Sequence, residues 1–229
     1  MIRTLPVTQR LMLCPLLLGM GLAHADITVY ADPSAFNAEV TAPGIETFFG
    51  VAQDAAGASP MTRRTQLGTL YYYQAEASSS SLLGAGTADE NWLTANVATD
   101  VITFSHFAQG ITAFGGYFFG SDFNGQYQLG TVTLSVTDVA GHTVTQTVSD
   151  ATTSSFIGFV SDGAQIASVS LYSEQLPSGD SLWPTARQLV LGQSISAVPE
   201  PGSALLLALG VVGLLLRPRA TPHSPAAVG

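Results

Sequence analysis

Four aspartates stand where short apolar runs end: Asp122, Asp138, Asp150 and Asp162. A glycoside hydrolase needs little more than two carboxylates several ångströms apart, so these are the first residues to consider for acid–base chemistry. Each also sits at a chain reversal, where Asp accepts hydrogen bonds from nearby backbone amides. That turn role is the expectation. In "SDFNG" (121–125) the side-chain oxygens of Asp122 and Asn124 fall at alternate positions beside a glycine. This is a sparse calcium pattern, without the regular loop of an EF-hand. The histidines His106 and His142 are isolated, and neither joins carboxylates at zinc-ligand spacing. Alternation puts His106 on the strand face of Ile102 and Phe104, which predicts a partly buried, satisfied side chain. His142, at a turn exit, is expected to be exposed. There is no G-x-S-x-G elbow, and the only cysteine, Cys14, precedes Asp26. No catalytic residue, metal or cofactor is therefore assigned. The chain is read as a non-enzyme, with hydrolysis by turn carboxylates as the alternative and calcium as a secondary idea.

Aromatic side chains offer a different chemistry, stacking on sugar rings. Tyr71, Tyr73 and Trp183 are the candidates. Tyr71 and Tyr73 share one face of a strand and Tyr72 takes the other, so one face of the run is expected to be exposed or to line a groove. Tyr72 and Trp92 are assigned to the core.

The elements that must hold these residues are β-strands. In "TVTLSVTDVAGHTVTQTV" (131–148) Val132, Leu134 and Val136 alternate with hydroxyl residues, and the pattern resumes after an Asp/Gly turn. Period two on both sides of a turn is a hairpin with one buried and one wet face. Gln146 interrupts the inner row and is placed at the sheet margin. Further strands are expected over 45–49, 67–76, 101–107, 111–119, 154–160, 165–173 and 187–195. Gly115-Gly116 inside one of them marks a bulge or close sheet packing. Only "DPSAFNAEV" (32–40) reads as helix, with Asp32 as cap and Pro33 in the first turn. Residues 53–60 and 78–90 are expected to be loops. Glycines every ten residues or so then predict an all-β fold, an antiparallel β-sandwich of jelly-roll type spanning 26–197.

Charge narrows the partners. Between Asp26 and Ala197 fifteen acids face three arginines, a balance of −12, and the chain has no lysine. Such a surface repels phosphate backbones, which excludes nucleic acid. The first 25 residues have Arg3 and Arg10, an apolar stretch from Leu11 to Leu22, and small residues at Ala23 and Ala25. Those are the parts of a secretory signal peptide cut before Asp26 by signal peptidase. Its removal takes Cys14 with it, so the mature chain has no disulfide.

At the other end stands "AVPEPGSALLLALGVVGLLLRPRA". Ser203 to Leu216 is a charge-free run whose helix would cover about 21 Å, short of the ~30 Å hydrocarbon core. Pro199 and Pro201 allow no helix before Gly202 and keep the backbone extended around Glu200. Arg217 and Arg219 stay cytoplasmic, which faces the domain outward. The segment resembles a PEP-CTERM sorting signal over 198–219, with Pro199, Glu200 and Pro201 as motif, an apolar helix over 202–216 and a basic cluster. That resemblance implies a Gram-negative bacterium, export by the general secretory route and a transient stage in the inner membrane. It also implies processing by an exosortase, a membrane cysteine transpeptidase, and a setting of exopolysaccharide and biofilm. The chain departs from the pattern by continuing through a tail, 220–229, expected to be disordered, and by splitting its arginines with Pro218. "AFGGYFFGSDFNG", "GTVTLSVTD", "GFVSD" and "IASVSLYS" resemble β-rich ectodomains often attached to such signals, a likeness that implies no activity. The expectation is a cell-surface or matrix protein, structural or adhesive toward extracellular polysaccharide. The alternatives are a carbohydrate-binding or carbohydrate-active ectodomain, and a domain tethered permanently by its C-terminal helix.

Overall fold

The hairpin that alternation predicts is the clearest element of the fold. In the computed structural model, which describes residues 26–53, 55–87, 90–175 and 179–195, β11 (Gly130–Asp138) pairs with β12 (Thr143–Ala151) as the expected hairpin, with Leu134 opposite Gln146. Val132, Leu134 and Val136 are fully buried. On the other face three hydroxyl pairs bridge the strands: Thr133–Thr147 at 3.0 Å, Ser135–Thr145 at 2.6 Å and Thr137–Thr143 at 2.8 Å. Cross-strand pairs of this kind stabilise an antiparallel ladder by a few tenths of a kcal/mol each, roughly. Gln146 does lie at a margin, because β12 is an edge strand.

Fourteen further elements complete the described residues, none longer than twelve residues. In chain order they are β1 (Ile27–Tyr30), α1 (Pro33–Ala38), β2 (Val40–Glu46), β3 (Met61–Arg64), β4 (Leu67–Gly68), β5 (Tyr72–Ala77), β6 (Leu82–Thr87) and β7 (Glu90–Ala95). They continue with β8 (Ile102–Ser105), β9 (Ala113–Ser121), β10 (Tyr127–Gln128), β13 (Phe156–Ser161), β14 (Ile166–Ser173) and β15 (Trp183–Ser194). Two antiparallel sheets result. A nine-stranded sheet has the order β1-β13-β9-β15-β2-β4, with β10 on β9 and the β6–β7 hairpin on β15; a six-stranded sheet has the order β12-β11-β14-β8-β5-β3. Phe104, Phe114, Phe118, Phe119, Phe159, Leu134 and Leu171 fill the space between them. This is the expected all-β sandwich.

The one helix forms where Asp32 and Pro33 predict it, with Asp32 accepting from the Ala35 amide at 2.8 Å. It lays Phe36 on the outer face of the nine-stranded sheet, in a small second core with Phe156, Val160 and Val190. That contact explains the glycines below it. A Cβ on Gly158 would come within 2.3 Å of the Phe36 ring, and one on Gly115 within 3.0 Å. The Gly115-Gly116 pair is thus a site of close packing, and the bulge lies opposite it, where β15 slips register between Arg187 and Val190.

Three expectations are corrected. Residues 78–90 are not all loop: β6 and β7 form there, although the glycine-rich run Gly84-Ala85-Gly86 lacks bulky strand formers. Gly84 is needed because the carbonyl of Val51 passes where its Cβ would stand, at 2.6 Å. The single strand expected over 67–76 is two, since the chain crosses at Leu67–Gly68 from one sheet to the other before β5 begins. His106 is exposed instead of sharing the face of Phe104, because β8 ends at Ser105 and His106 takes a φ of 54°. Alternation stops where the backbone turns. The signal-peptide residues, Ala23 and Ala25 included, lie outside the described residues. So do Pro199, Glu200 and Pro201, the apolar helix 202–216, Arg217 and Arg219, and the tail 220–229.

Candidate functional site

The Tyr71–Tyr73 run does not present a sugar platform. Tyr71 and Tyr73 share a face as parity requires, but that face is the core, and both are buried; Tyr72 is the exposed one. The reason is a polar anchor between the sheets. The Tyr73 hydroxyl donates to Glu46 Oε2 at 3.1 Å, and Glu46 Oε1 accepts from Arg63 Nη2 at 2.9 Å and from the Phe48 amide at 2.7 Å. Glu46 is fully buried, so its charge is tolerable only with these partners. Burial, and then the Glu46 charge, push the Tyr73 hydroxyl well above the ordinary tyrosine range. Tyr71 donates to the Ala42 carbonyl at 2.9 Å. Trp92 is in the core as expected, edge-on to Phe119 at 4.8 Å between ring centres.

Trp183 is different. It opens β15, half exposed, and its ring meets Phe123 at 6.0 Å and 65°. Phe123 is 84% exposed, the most exposed large apolar side chain of the described residues. The pair forms a ridge between two depressions of about 390 and 540 Å³. Gln53, Asn96 and Gln126 line the first, Gln128, Asp180 and Ser181 the second, and Asp122 and Asn124 both.

Local chemistry fixes the ridge. Asp122 Oδ1 accepts from the amides of Asn124 at 2.9 Å and Gln126 at 2.8 Å, and Gly125, with φ of 70°, closes the turn by donating to the Asp122 carbonyl at 3.0 Å. The turn leans on the β6–β7 hairpin through Gly86 N–H to Gly125 O at 2.9 Å. Gln53 and Gln126 donate to carbonyls of the same hairpin. Trp183 Nε1 points to the Asn96 carbonyl at 3.5 Å. Elsewhere, the buried carboxylate of Asp100 collects the hydroxyls of Ser78, Ser79 and Ser80 and the Ser79 amide. Burial pushes the Asp100 carboxyl up, but the three hydroxyls and the amide together hold it below the usual carboxylate range.

The turn aspartates do what turn residues do. Asp138 repeats the Asp122 pattern, Oδ1 accepting from Ala140 and His142 amides, both at 2.9 Å. Asp122 and Asp162 stand at opposite ends of the β9–β13 pair, so the structure does not bring them together. Among the described residues no three His, Cys, Asp or Glu side chains converge as metal ligands. Phe123 is the site residue that the sequence reading missed; its only signal is a large aromatic inside an otherwise polar Asp/Gly turn.

Comparison with known proteins bears on the chain's end. The family described as the PEP-CTERM protein-sorting motif matches residues 197–220, which marks the chain for export and sorting to the cell surface by an exosortase. No curated protein matches the chain. A solved structure of a mutant family 29 carbohydrate-binding module aligns with 73% of this chain and 99% of its own, at 8% identity and a TM-score of 0.36. Among the described residues no helix is long and apolar enough to cross a membrane.

Proposed function

We propose that this chain is a non-enzymatic surface protein whose ectodomain adheres to extracellular polysaccharide through the Phe123–Trp183 ridge. One observation carries the reading: a tight Asp/Gly turn holds a phenyl ring out in water, edge-on to an indole, between depressions lined by amides and hydroxyls. Aromatic faces cover the apolar faces of sugar rings, while amide side chains both donate and accept toward sugar hydroxyls. Sorting by the C-terminal motif agrees with work outside the cell. In this reading signal peptidase cuts before Asp26. The helix 202–216 holds the chain in the inner membrane of a Gram-negative bacterium until an exosortase cuts near Pro199–Gly202. The protein then joins the surface or the exopolysaccharide matrix of a biofilm. It needs no cofactor; calcium at Asp122 and Asn124 is a lesser alternative, since Asp122 Oδ1 is already shared by two amides.

A glycan array with the processed protein and with Trp183→Ala tests this. The expected result is retention of a polysaccharide, lost in the variant. Absence of any retained glycan, or retention indifferent to Trp183, would overturn it. Release of products that stops in Asp122→Asn would point to the hydrolase alternative. The mass of the C-terminal fragment recovered from cells reads the processing: truncation near Pro199–Gly202 is expected, an intact Gly229 is not.

A further inference from the structure

Strand direction divides the sandwich into two ends. β9 runs from Ala113, opposite Gly192 of β15, to Ser121, opposite Trp183. That is eight steps between nine residues, about 27 Å at the usual strand rise. The Phe123–Trp183 ridge therefore stands at one end, and β15 delivers the chain to the other.

The first and last described strands meet at that other end. Asp162 N–H donates to the Asp26 carbonyl at 2.8 Å, Ser161 N–H to the Thr112 carbonyl at 2.7 Å, and Ser194 N–H to Thr112 Oγ1 at 2.6 Å. From Ile195 to Ser203, where the charge-free run begins, the chain can reach at most about 28 Å. A domain of this size is about 40 Å across, so a chain held in a bilayer by that run keeps its exit end toward the lipid.

The exit end carries exposed apolar side chains. Val139 is 65% exposed, Ile195 51% and Leu70 44%. Val139 sits beside Gln165, which lies against Gly110, and Gly110 O accepts from Gln193 of β15. Leu70 follows Thr69, whose amide donates to Pro43 O on β2, next to Gly192. Ile195 donates to the Glu39 carbonyl at 3.0 Å. The three thus surround the place where the chain leaves.

We propose that this end rests on the membrane surface while the sorting helix is in place, with Leu70, Val139 and Ile195 in the headgroup layer and the Phe123–Trp183 ridge turned outward. The occupant is a lipid surface because the chain leaving Ile195 leads into one within a few residues. Asp26, Glu39 and Asp162 stand at the same end, so the fit is to zwitterionic lipid; an anionic surface would repel them. The proposal rests on the sorting motif and not on glycan binding, and either can fail alone.

The test uses the chain with an intact C-terminus and Cys14→Ser, reconstituted in phosphatidylcholine vesicles. A polarity-sensitive thiol dye is attached at Leu70→Cys, Val139→Cys or Ser181→Cys, all exposed positions, the last beside Trp183. Lipids carrying a headgroup-level quencher are expected to remove most of the emission at 70 and 139 and none at 181. Equal quenching at all three positions, or none at 70 and 139, would overturn the proposal. Shielding of 70 and 139 in cells but not in pure vesicles would also overturn it, in favour of a protein partner.

Discussion

Two turns of the same design close opposite ends of this molecule. "DFNGQ" and "DVAGH" each use an aspartate carboxylate to gather two backbone amides and a glycine at positive φ to close, and each pushes its second residue into solvent. At one end that residue is Phe123, packed edge-on to Trp183 with a polar depression on either side; at the other it is Val139, near the point where the chain enters and leaves the domain. The turn itself is neutral as to function. What an element does is set by the side chain it holds out and by what stands across from it.

The contrast would be weakened most if the frame between the ends proved soft. Glu46→Ala strands Arg63 and Tyr73 between the sheets and is expected to cost about 3–5 kcal/mol in denaturant unfolding. A loss under 1 kcal/mol would mean the anchor is dispensable. Next in size is the ridge: Trp183→Ala should weaken glycan retention by about 2 kcal/mol, roughly thirtyfold, in a titration. The same change at Val139 should leave retention untouched. Smaller again is the serine-bound carboxylate of Asp100. Because the folded Asp100 titrates below its ordinary value of 3.8, its stabilisation is complete above that pH and lost as pH falls through the lowered value. Asp100→Asn should therefore cost about 1–2 kcal/mol at neutral pH and flatten the acid limb of a stability–pH curve. The smallest effect sharpens the comparison most. Phe123→Ala should change the unfolding free energy by less than about 0.5 kcal/mol, since the ring is in water, while glycan retention falls.

Legibility in the sequence followed the physics of each element. The β11–β12 hairpin and α1 were readable because period-two burial and a capping aspartate are local rules. β6 was not, since Gly84 serves a neighbour distant in sequence, the Val51 carbonyl, and Gly86 takes a φ of 98° hard against the Glu90 carbonyl of its own hairpin. Parity correctly paired Tyr71 with Tyr73, but which face is inner depends on Glu46, more than twenty residues away. Trp183 was visible as a candidate; its partner was not, because a turn's composition conceals a ring meant for solvent. His106 failed where a single positive φ ended the alternation.

β15 joins the Phe123–Trp183 ridge to the chain's way out, bonded to β9 on one side and to β2 and β7 on stretches of the other. A pull between a ligand at Trp183 and a tether beyond Ser194 would run along the strand's own axis. Its rows of hydrogen bonds would then be loaded together, sideways to their length, instead of opening one after another like a zip. Such a load path resists rupture through the unfolding rate more than through equilibrium stability, and it suits a domain held at one end and gripping at the other.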